Sequence, residues 1–398
     1  MRLGIFLVLS IATLNGVTFA QHSEHSPQLL LTPQRLKRLK RDHDRQTPRW
    51  INFEERVKNV PDSPERGFEL ALYYAVTGDE ARGREAVNWA KRPGSEPRQV
   101  GLILDWCRDL ISDEERRILA KCVIFITPNL PPFVPQNGCL FKEIAGGSSA
   151  PMFSDPKIWK TQIDWLVGGG FQQTESLYAA IETIMVLRTT QHIDLREDFR
   201  QFFNSLPIQF LLSLKPDQAE HPDWLTHIAA LALVNLDPNS DSSQFLQGWA
   251  IEDRQMVREG PGVAYELLWA DPYLPGVGYQ NLDPWWYDEA SGRLLARTNW
   301  EPDACWIQIT TKGVEQQSCP ANWQTQTVNF GRLQLTPVTQ NCVEVQRAAS
   351  NSTTFLWKLK PNQKLKYTEE KKSMTVEADG AGLWRVPVNI EGKVCAVR

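Results

Sequence analysis

The chain has 398 residues, of which 42% are hydrophobic, and this length and composition predict a folded protein of two or three domains. Its 43 Lys and Arg residues nearly balance its 47 Asp and Glu residues, so the formal net charge is only −4. A chain with this balance has no bulk attraction for a polyanion such as DNA or RNA. The composition therefore excludes a largely disordered protein and indicates that nucleic acid is not the partner.

The first twenty residues have the pattern of a signal peptide. Arg2 provides the positive charge, residues 4–19 are largely apolar, and small residues end the segment at Ala20. The apolar run is shorter than the ~20 residues that cross a bilayer, and no other stretch is long enough. We therefore expect residues 1–20 to be removed and the protein to be secreted or periplasmic, with no membrane span after cleavage.

Residues 21–260 are predicted to form a helical domain of about ten helices, because apolar residues recur at intervals of three and four. Short turns between successive helices favour antiparallel hairpins, which build a bundle, a solenoid or a toroid. Ser112 and Glu115 form a capping box at one helix start. Other starts are predicted where a capping residue precedes proline, at Thr32-Pro33, Thr47-Pro48, Ser63-Pro64 and Asp155-Pro156.

The pattern changes after residue 260. Residues 261–290 are rich in proline, glycine and aromatic residues, and are predicted to form an ordered interdomain segment. Residues 291–398 contain short alternating or β-branched runs between polar turns, which predict an antiparallel β-sandwich. The expected strands cover residues 294–298, 305–310, 332–335, 343–347, 354–359 and 383–389.

The seven cysteines include no CxxC pair and have no histidines at zinc-site spacing, so neither a metal nor another cofactor is expected. Export permits disulfides, and the last four cysteines can pair in three ways. The odd total leaves at least one thiol unpaired or shared between chains. The last four cysteines, which can pair in three ways, are Cys305, Cys319, Cys342 and Cys395.

Aromatic residues and one histidine are the first candidates for ligand binding. Indole and phenol rings stack on sugar rings, so a dense aromatic group is typical of a glycan-binding groove, although core packing is the alternative. His227 near a helix start is also a candidate, with a hydrogen-bonded structural role as its alternative. The aromatic candidates are Tyr265, Trp269, Tyr279, Trp285 and Trp286, with Tyr287 beside them.

A glycine-rich loop at residues 168–170 leads directly into a helix that carries Glu175 and Tyr178 on one face. This passage resembles the loop-to-helix motif of the heparinase II/III-like polysaccharide lyases. The matching residues are Gly169, Gly170, Phe171 and Tyr178, whereas Gln173 replaces the usual Glu and Ala179 replaces the usual His. Residues 28–40 and 292–304 also resemble the family's opening helix and first sandwich strand.

The resemblance implies an (α/α) toroid followed by a β-sandwich, and β-elimination from an acidic, uronic-acid-containing polysaccharide. It implies that Tyr178 is catalytic, with its hydroxyl exposed on the wall of the main cleft and its pKa lowered by a cation. The alternative is a tyrosine packed in the helical core with a satisfied hydroxyl. It makes Gln173, Glu175 and Asn137 candidates for substrate binding. The chain departs from the family because no histidine follows His227.

Three functions therefore remain open. The first is a divergent polysaccharide lyase. The second is a catalytically silent relative that binds a glycan or a protein partner, which the missing histidines favour. The third is a glycoside hydrolase on the same helical architecture, which requires two carboxylates facing each other across a cleft. Glu175 and Glu182 lie on one predicted helix and so do not form such a pair.

Overall fold

The computed structural model describes residues 28–121, 134–147, 153, 155–251, 255–289, 291–346, 351–369 and 372–397. The predicted signal peptide, residues 1–20, lies outside these ranges. Within them, fourteen α-helices are followed by twelve β-strands. In the same ranges, no helix has both the length and the apolar character that a membrane crossing requires.

The helices begin where the capping pattern predicts in most cases. The hydroxyls of Thr32 and Thr47 and the carboxylate of Asp155 accept hydrogen bonds from backbone N–H groups of the first turn. The helices are α1 Pro33–Asp44, α2 Pro48–Asn59, α3 Arg66–Thr77, α4 Glu80–Ala90, α5 Pro97–Trp106, α6 Asp113–Leu119, α7 Val134–Gly146, α8 Pro156–Val167, α9 Thr174–Thr190, α10 Arg200–Ser213, α11 Pro216–Glu220, α12 Trp224–Leu236, α13 Asp241–Ala250 and α14 Gly262–Trp269.

The capping box of Ser112 and Glu115 is confirmed at the start of α6. The predicted start at Ser63-Pro64 is wrong, because α3 begins at Arg66. The Ser63 hydroxyl instead donates to Glu69 Oε1 at 2.9 Å and accepts from Arg56 Nη2 at 2.7 Å. The hydroxyl also accepts from the Glu65 backbone N–H at 3.2 Å, so it caps the turn that precedes α3 while it joins the buried ion pair of Arg56 and Glu69.

Six helices form a continuous series of packed neighbours in the order α3, α5, α7, α9, α12, α14. The last of them, α14, also packs against α2 and α3, so the series returns to its beginning. Between these six, α4 packs against α3 and α5, and α13 packs against α10 and α12. The shared core contains fully buried apolar side chains such as Leu104, Phe141, Leu177 and Ala230.

The predicted interdomain segment, residues 261–290, contains regular structure at both ends. Its first part is α14, which starts one residue after Pro261, a position at which proline costs no helical hydrogen bond. Its last part is the strand Trp285–Asp288. The prolines at 272, 275 and 284 occupy the irregular stretch between the two.

The C-terminal region forms three four-stranded sheets, which we call inner, middle and outer. Their orders are β1-β2-β3-β4, β11-β8-β6-β5 and β10-β9-β12-β7. The strands are β1 Trp285–Asp288, β2 Arg293–Arg297, β3 Trp306–Thr310, β4 Gly313–Gln317, β5 Val328–Phe330, β6 Leu333–Pro337, β7 Cys342–Val345, β8 Thr353–Trp357, β9 Lys364–Glu369, β10 Lys372–Glu377, β11 Trp384–Val386 and β12 Gly392–Ala396.

The expectation of wholly antiparallel sheets is wrong for one pair. Strands β6 and β8 are parallel, with Leu333 opposite Thr353 and Pro337 opposite Trp357. After β6 the chain crosses to the outer sheet, where β7 pairs with β12, and then returns to the middle sheet in its original direction. A parallel pair needs such a crossover connection, which strand patterns along the sequence do not reveal.

Two apolar layers hold the sheets together. Leu294 and Ile307 of the inner sheet meet Phe330 and Phe355 of the middle sheet in one buried cluster. Leu356 and Trp384 of the middle sheet meet Leu365 and Val394 of the outer sheet in another. Alternate residues of the middle sheet therefore face opposite neighbours, as the period of two requires.

The inner sheet also packs on the helical body through its other face. Leu212 of α10, Leu295 of β2 and Trp306 of β3 form a buried cluster, and Trp306 Nε1 donates to the Leu212 carbonyl at 2.8 Å. Because side chains alternate along a strand, Arg293 and Arg297 share this face with Leu295. The face of β2 toward the helices thus carries two buried arginines.

Arg293 explains the glycine-rich loop. Its guanidinium stacks on Phe171 at 4.9 Å and is 4% exposed. Gly169 has φ of +112°, and a Cβ at this position would lie 2.5 Å from Arg293 Nη2. Glycine at position 169 therefore leaves room for the Arg293 side chain of β2. This contact joins the loop of the helical body to the inner sheet.

Two disulfides cross-link the chain within the sheets. Cys305–Cys319 links the start of β3 to the segment after β4, and Cys342–Cys395 joins opposite residues of β7 and β12. Among the described cysteines, Cys107 is a buried free thiol, as the odd total requires.

The contact at Gly169 predicts a specific loss of stability for Gly169→Ala. The substitution combines a disfavoured φ with a clash against Arg293, and we expect it to lower the free energy of unfolding by about 2 to 5 kcal/mol. The control is Gly78→Ala, because Gly78 has φ of +76° and open space around its Cβ position. That variant should lose only about 1 to 2 kcal/mol. Equal losses in urea unfolding would contradict the proposed role of Arg293.

Candidate functional site

A cavity of about 300 Å³ lies where the N-terminal ends of the six neighbouring helices meet. We call it the Glu182 cavity, after the buried carboxylate at its base. It is lined by Glu65 before α3, Glu96 and Arg98 at the start of α5, Asn137 of α7, Glu175, Tyr178, Ala179 and Glu182 of α9, Trp224, Leu225 and Ile228 of α12, and Tyr265 of α14.

Glu182 is fully buried and receives hydrogen bonds from three side chains. Arg98 binds both of its oxygens, with Nε 2.6 Å from Oε2 and Nη2 on Oε1. The Tyr178 hydroxyl donates to Oε1 at 2.6 Å, and Asn137 Nδ2 donates to Oε2 at 3.0 Å. Such a bidentate, fully satisfied pair is the arrangement in which a buried carboxylate is tolerated.

Arg98 is the central cation of the cavity. It also donates to the Tyr265 hydroxyl at 3.0 Å, and its Nη1 lies 3.9 Å from Glu65 Oε2. Burial by itself would lower the pKa of Arg98, but Glu182 and the two tyrosines outweigh it and raise the pKa further. The guanidinium therefore remains charged, and its charge is already compensated by Glu182.

Tyr178 lines the cavity, but the expectation of an exposed hydroxyl is corrected. Its side chain is 7% exposed, and the hydroxyl accepts a hydrogen bond from Trp269 Nε1 at 2.8 Å while donating to Glu182. Burial and the Glu182 carboxylate raise the pKa of Tyr178 well above its usual range, and Arg98 only partly opposes them. The structure therefore holds Tyr178 as a neutral phenol, opposite to the lowered pKa expected for proton abstraction.

Three more carboxylates line the cavity. Glu96 caps α5 through the N–H groups of residues 98 and 99, whereas Glu65 precedes α3 without capping it. Burial raises the pKa of Glu65, and its Oε2 makes no hydrogen bond within the described residues. Glu175 is exposed in the first turn of α9. With all four carboxylates counted as charged against the single Arg98, the lining has a formal charge of −3.

Trp224 provides an aromatic surface at the edge of the cavity. It is the first residue of α12, whose N-cap is Asp223, and it is 36% exposed. Its ring lies roughly parallel to that of Tyr265, with centroids 6.0 Å apart. A partly exposed indole supported from behind by a buried phenol is a suitable platform for stacking.

The predicted single aromatic groove is not present, because its residues lie in three places. Tyr265 and Trp269 are buried beside Tyr178, and Tyr279 packs edge-on against Trp300 near a separate cavity. Trp285 and Trp286, with Tyr287, line a third cavity between the helices and the sheets. The core-packing alternative holds for Trp269, which is fully buried.

His227 has the structural role that was its alternative. It is 1% exposed, and its Nε2 lies 2.8 Å from Glu266 Oε2. Arg49 Nε binds the other oxygen of Glu266 at 2.7 Å. Burial opposes ionisation of Glu266, but these two partners lower its pKa overall. Gln173 precedes α9 as its N-cap, without a side-chain capping bond, and is exposed outside the cavity lining.

Sequence reasoning missed Arg98, Glu65 and Trp224. The start of α5 carried a usable signal, because Glu96-Pro97 repeats the pattern of a capping residue followed by proline. Asn137, proposed as a substrate ligand, instead donates to Glu182. In the described ranges, no group of His, Cys, Asp and Glu residues has a geometry that could hold a metal ion.

Comparison with known proteins provides no family for this chain. No protein-family model matches the sequence, and no curated protein matches it. The resemblance of the 168–178 segment to the heparinase II/III-like lyases therefore stays a prediction. The case for function rests on the side chains that line the Glu182 cavity.

Proposed function

We propose that this protein binds a glycan through the Glu182 cavity, and that the sugar unit held there is neutral or basic. The observation that carries the proposal is that Arg98, Asn137 and Tyr178, the groups best suited to a substrate carboxylate, are all bonded to the chain's own Glu182. The protein thus follows the second of the three expected functions, a glycan-binding relative of the lyases.

Electrostatics disfavours a uronate in this cavity. A uronate would have to displace Glu182 from Arg98, and removing one partner from a buried pair costs about 3 to 5 kcal/mol. It would also approach Glu96 and Glu175, whose exposed carboxylates repel a like charge. The same carboxylates would attract the ammonium group of an amino sugar. They would accept hydrogen bonds from the hydroxyls of a neutral sugar.

The shape and polar groups of the cavity suit a sugar ring. Its volume of about 300 Å³ is at the small end for ligand pockets, which favours a single sugar unit over a long bound segment. Trp224 offers a stacking face. The exposed carboxylates of Glu96 and Glu175 can accept hydrogen bonds from sugar hydroxyls, whereas Asn137 is buried and donates to Glu182.

The (α/α) toroid belongs to the same proposal. The series α3, α5, α7, α9, α12, α14 closes when α14 packs on α3, which is the pattern of an inner ring of helices. All six point their N-terminal ends toward the cavity. Export is proposed from the signal-peptide pattern, and the disulfides Cys305–Cys319 and Cys342–Cys395 support it.

The binding site predicts an effect of Trp224→Ala on glycan affinity. Loss of the stacking face should weaken binding of the best neutral or amino oligosaccharide by about tenfold. The matched control is Tyr273→Ala, which removes an aromatic ring that is 62% exposed and outside the cavity lining. Isothermal titration with a panel of oligosaccharides measures both. A best ligand that binds Trp224→Ala as tightly as wild type would contradict the proposal.

Hydrolysis of a glycosidic bond is the second candidate function, favoured by the raised pKa of Glu65. A carboxyl that stays protonated to higher pH can act as a general acid. Glu175 and Glu96 come from other helices than the one that Glu65 precedes, so the cavity is lined by carboxylates from different elements. In this candidate, Glu65 protonates the leaving oxygen and Glu175 activates water.

Hydrolysis predicts that Glu65→Gln lowers turnover by about 100-fold or more, because it removes the proton donor. Turnover by the wild type should fall as pH rises through the raised pKa of Glu65. Tyr178→Phe is the contrasting variant, and it should keep turnover because that hydroxyl serves Glu182. Reducing-end assays over a range of pH check both. Unsaturated uronate products, detected by ultraviolet absorbance, would instead support the lyase.

A further inference from the structure

A second cavity, of about 540 Å³, lies between the helical body and the sheets. We call it the interdomain cavity. Ile208 of α10 and Phe245 of α13 form its helical side, and the aromatic strand β1 crosses it. Strand β1 is the edge of the inner sheet, so one side of its backbone has no strand partner in that sheet.

Two arginines of the middle sheet give this cavity a positive charge. Arg332 lies in the turn before β6 and Arg385 lies on β11. Arg385 is opposite Phe355, whose side chain faces the inner sheet, so Arg385 is on the same face. Both residues are exposed, and neither guanidinium has a hydrogen bond or ion pair within the described residues. With Asp283, the lining has a formal charge of +1.

Aromatic side chains of β1 lie beside these two arginines in the cavity lining. Trp285, Trp286 and Tyr287 are half-buried along β1. The indole N–H groups of both tryptophans lack an acceptor among the described residues, although buried donors are normally satisfied. Tyr287 differs, because its hydroxyl donates to Asp379 at 2.8 Å. The indole N–H atoms are themselves buried, so these half-buried rings supply apolar contact area for a sugar ring beside the two arginines.

We propose that the interdomain cavity is a binding site for carboxylate-bearing sugar units, separate from the Glu182 cavity. Each of the two guanidinium groups has no protein partner among the described residues and can bind a carboxylate through two parallel N–H···O hydrogen bonds. The Glu182 cavity has the opposite charge and its arginine is occupied. The site is independent of the proposed function, since it uses other residues and a different charge.

The test is the binding of a galacturonic acid trimer, with maltotriose as the neutral counterpart. Wild type should bind the acidic trimer more tightly than maltotriose. Arg332→Ala/Arg385→Ala should weaken the acidic trimer about 10- to 100-fold, because two charge-assisted contacts are lost. The control is Lys372→Ala/Lys393→Ala, which removes the same charge from exposed positions of the outer sheet and should change affinity by less than about twofold.

Each alternative result contradicts the proposal. An unchanged affinity in the double arginine variant excludes these residues as ligands. An equal loss in the lysine control shows a bulk charge effect only. Arg332→Gln/Arg385→Gln supplies a second variant of the same site, and urea unfolding checks that both are folded. Trp224→Ala should leave the acidic trimer unaffected, so failure of this site and failure of the Glu182 cavity are distinguished.

Discussion

The buried ion pair of Arg98 and Glu182 is the constraint on which the candidate site depends. Neither side chain can be left alone, because an unpaired charge at this depth is costly. Arg98 comes from α5 and Glu182 from α9, while Asn137 of α7 and Tyr178 complete the shell. The hydrogen bonds to Glu182 therefore hold α5, α7 and α9 together. They also occupy the side chains that would otherwise be free to bind a substrate carboxylate.

Two of the other carboxylates at the cavity are stabilised by their positions at helix N-termini. The partial positive charge of a helix N-terminus favours anions. Glu96 and Glu175 occupy first-turn or capping positions of this kind. Glu65 is the exception, since it is half-buried, caps nothing and has a raised pKa. Within the described residues, its one ion-pair contact is the long one to Arg98, at 3.9 Å, so of these carboxylates Glu65 is the one proposed for ligand chemistry.

Much of the fold could be predicted from the sequence, because its signals are local. Thr32, Thr47 and the Ser112 capping box mark helix starts through contacts within one turn, and the alternation of β6 marks its strand. The failures have non-local causes. The Ser63 hydroxyl caps only a turn before α3 and also joins the ion pair of Arg56 and Glu69, a contact that its local pattern does not show. The parallel pairing of β6 with β8 depends on a crossover through another sheet.

The site was less predictable for the same reason. The glycine-rich loop and Tyr178 could be singled out, but their partners lie far away in the chain: Arg293 is more than a hundred residues from Gly169, and Arg98 is separated from Glu182 by 84 positions. The spacing of Tyr178 and Glu182 does place them on one helix face. The resemblance of the loop to the lyase motif implies a catalytic tyrosine, whereas the structure has a carboxylate held by three donors, one of which is the distant Arg98.

A double-mutant cycle on Arg98 and Glu182 tests the central claim most directly. Arg98→Met and Glu182→Gln should each lower the free energy of unfolding by about 3 to 5 kcal/mol, because each leaves its partner buried and unpaired. The double variant should lose less than the sum by about 2 to 3 kcal/mol. The exposed pair of Lys91 and Glu115 serves as the control, with a coupling of about 0 to 1 kcal/mol. Additive losses at Arg98 and Glu182, within about 0.5 kcal/mol in urea unfolding, would contradict the account.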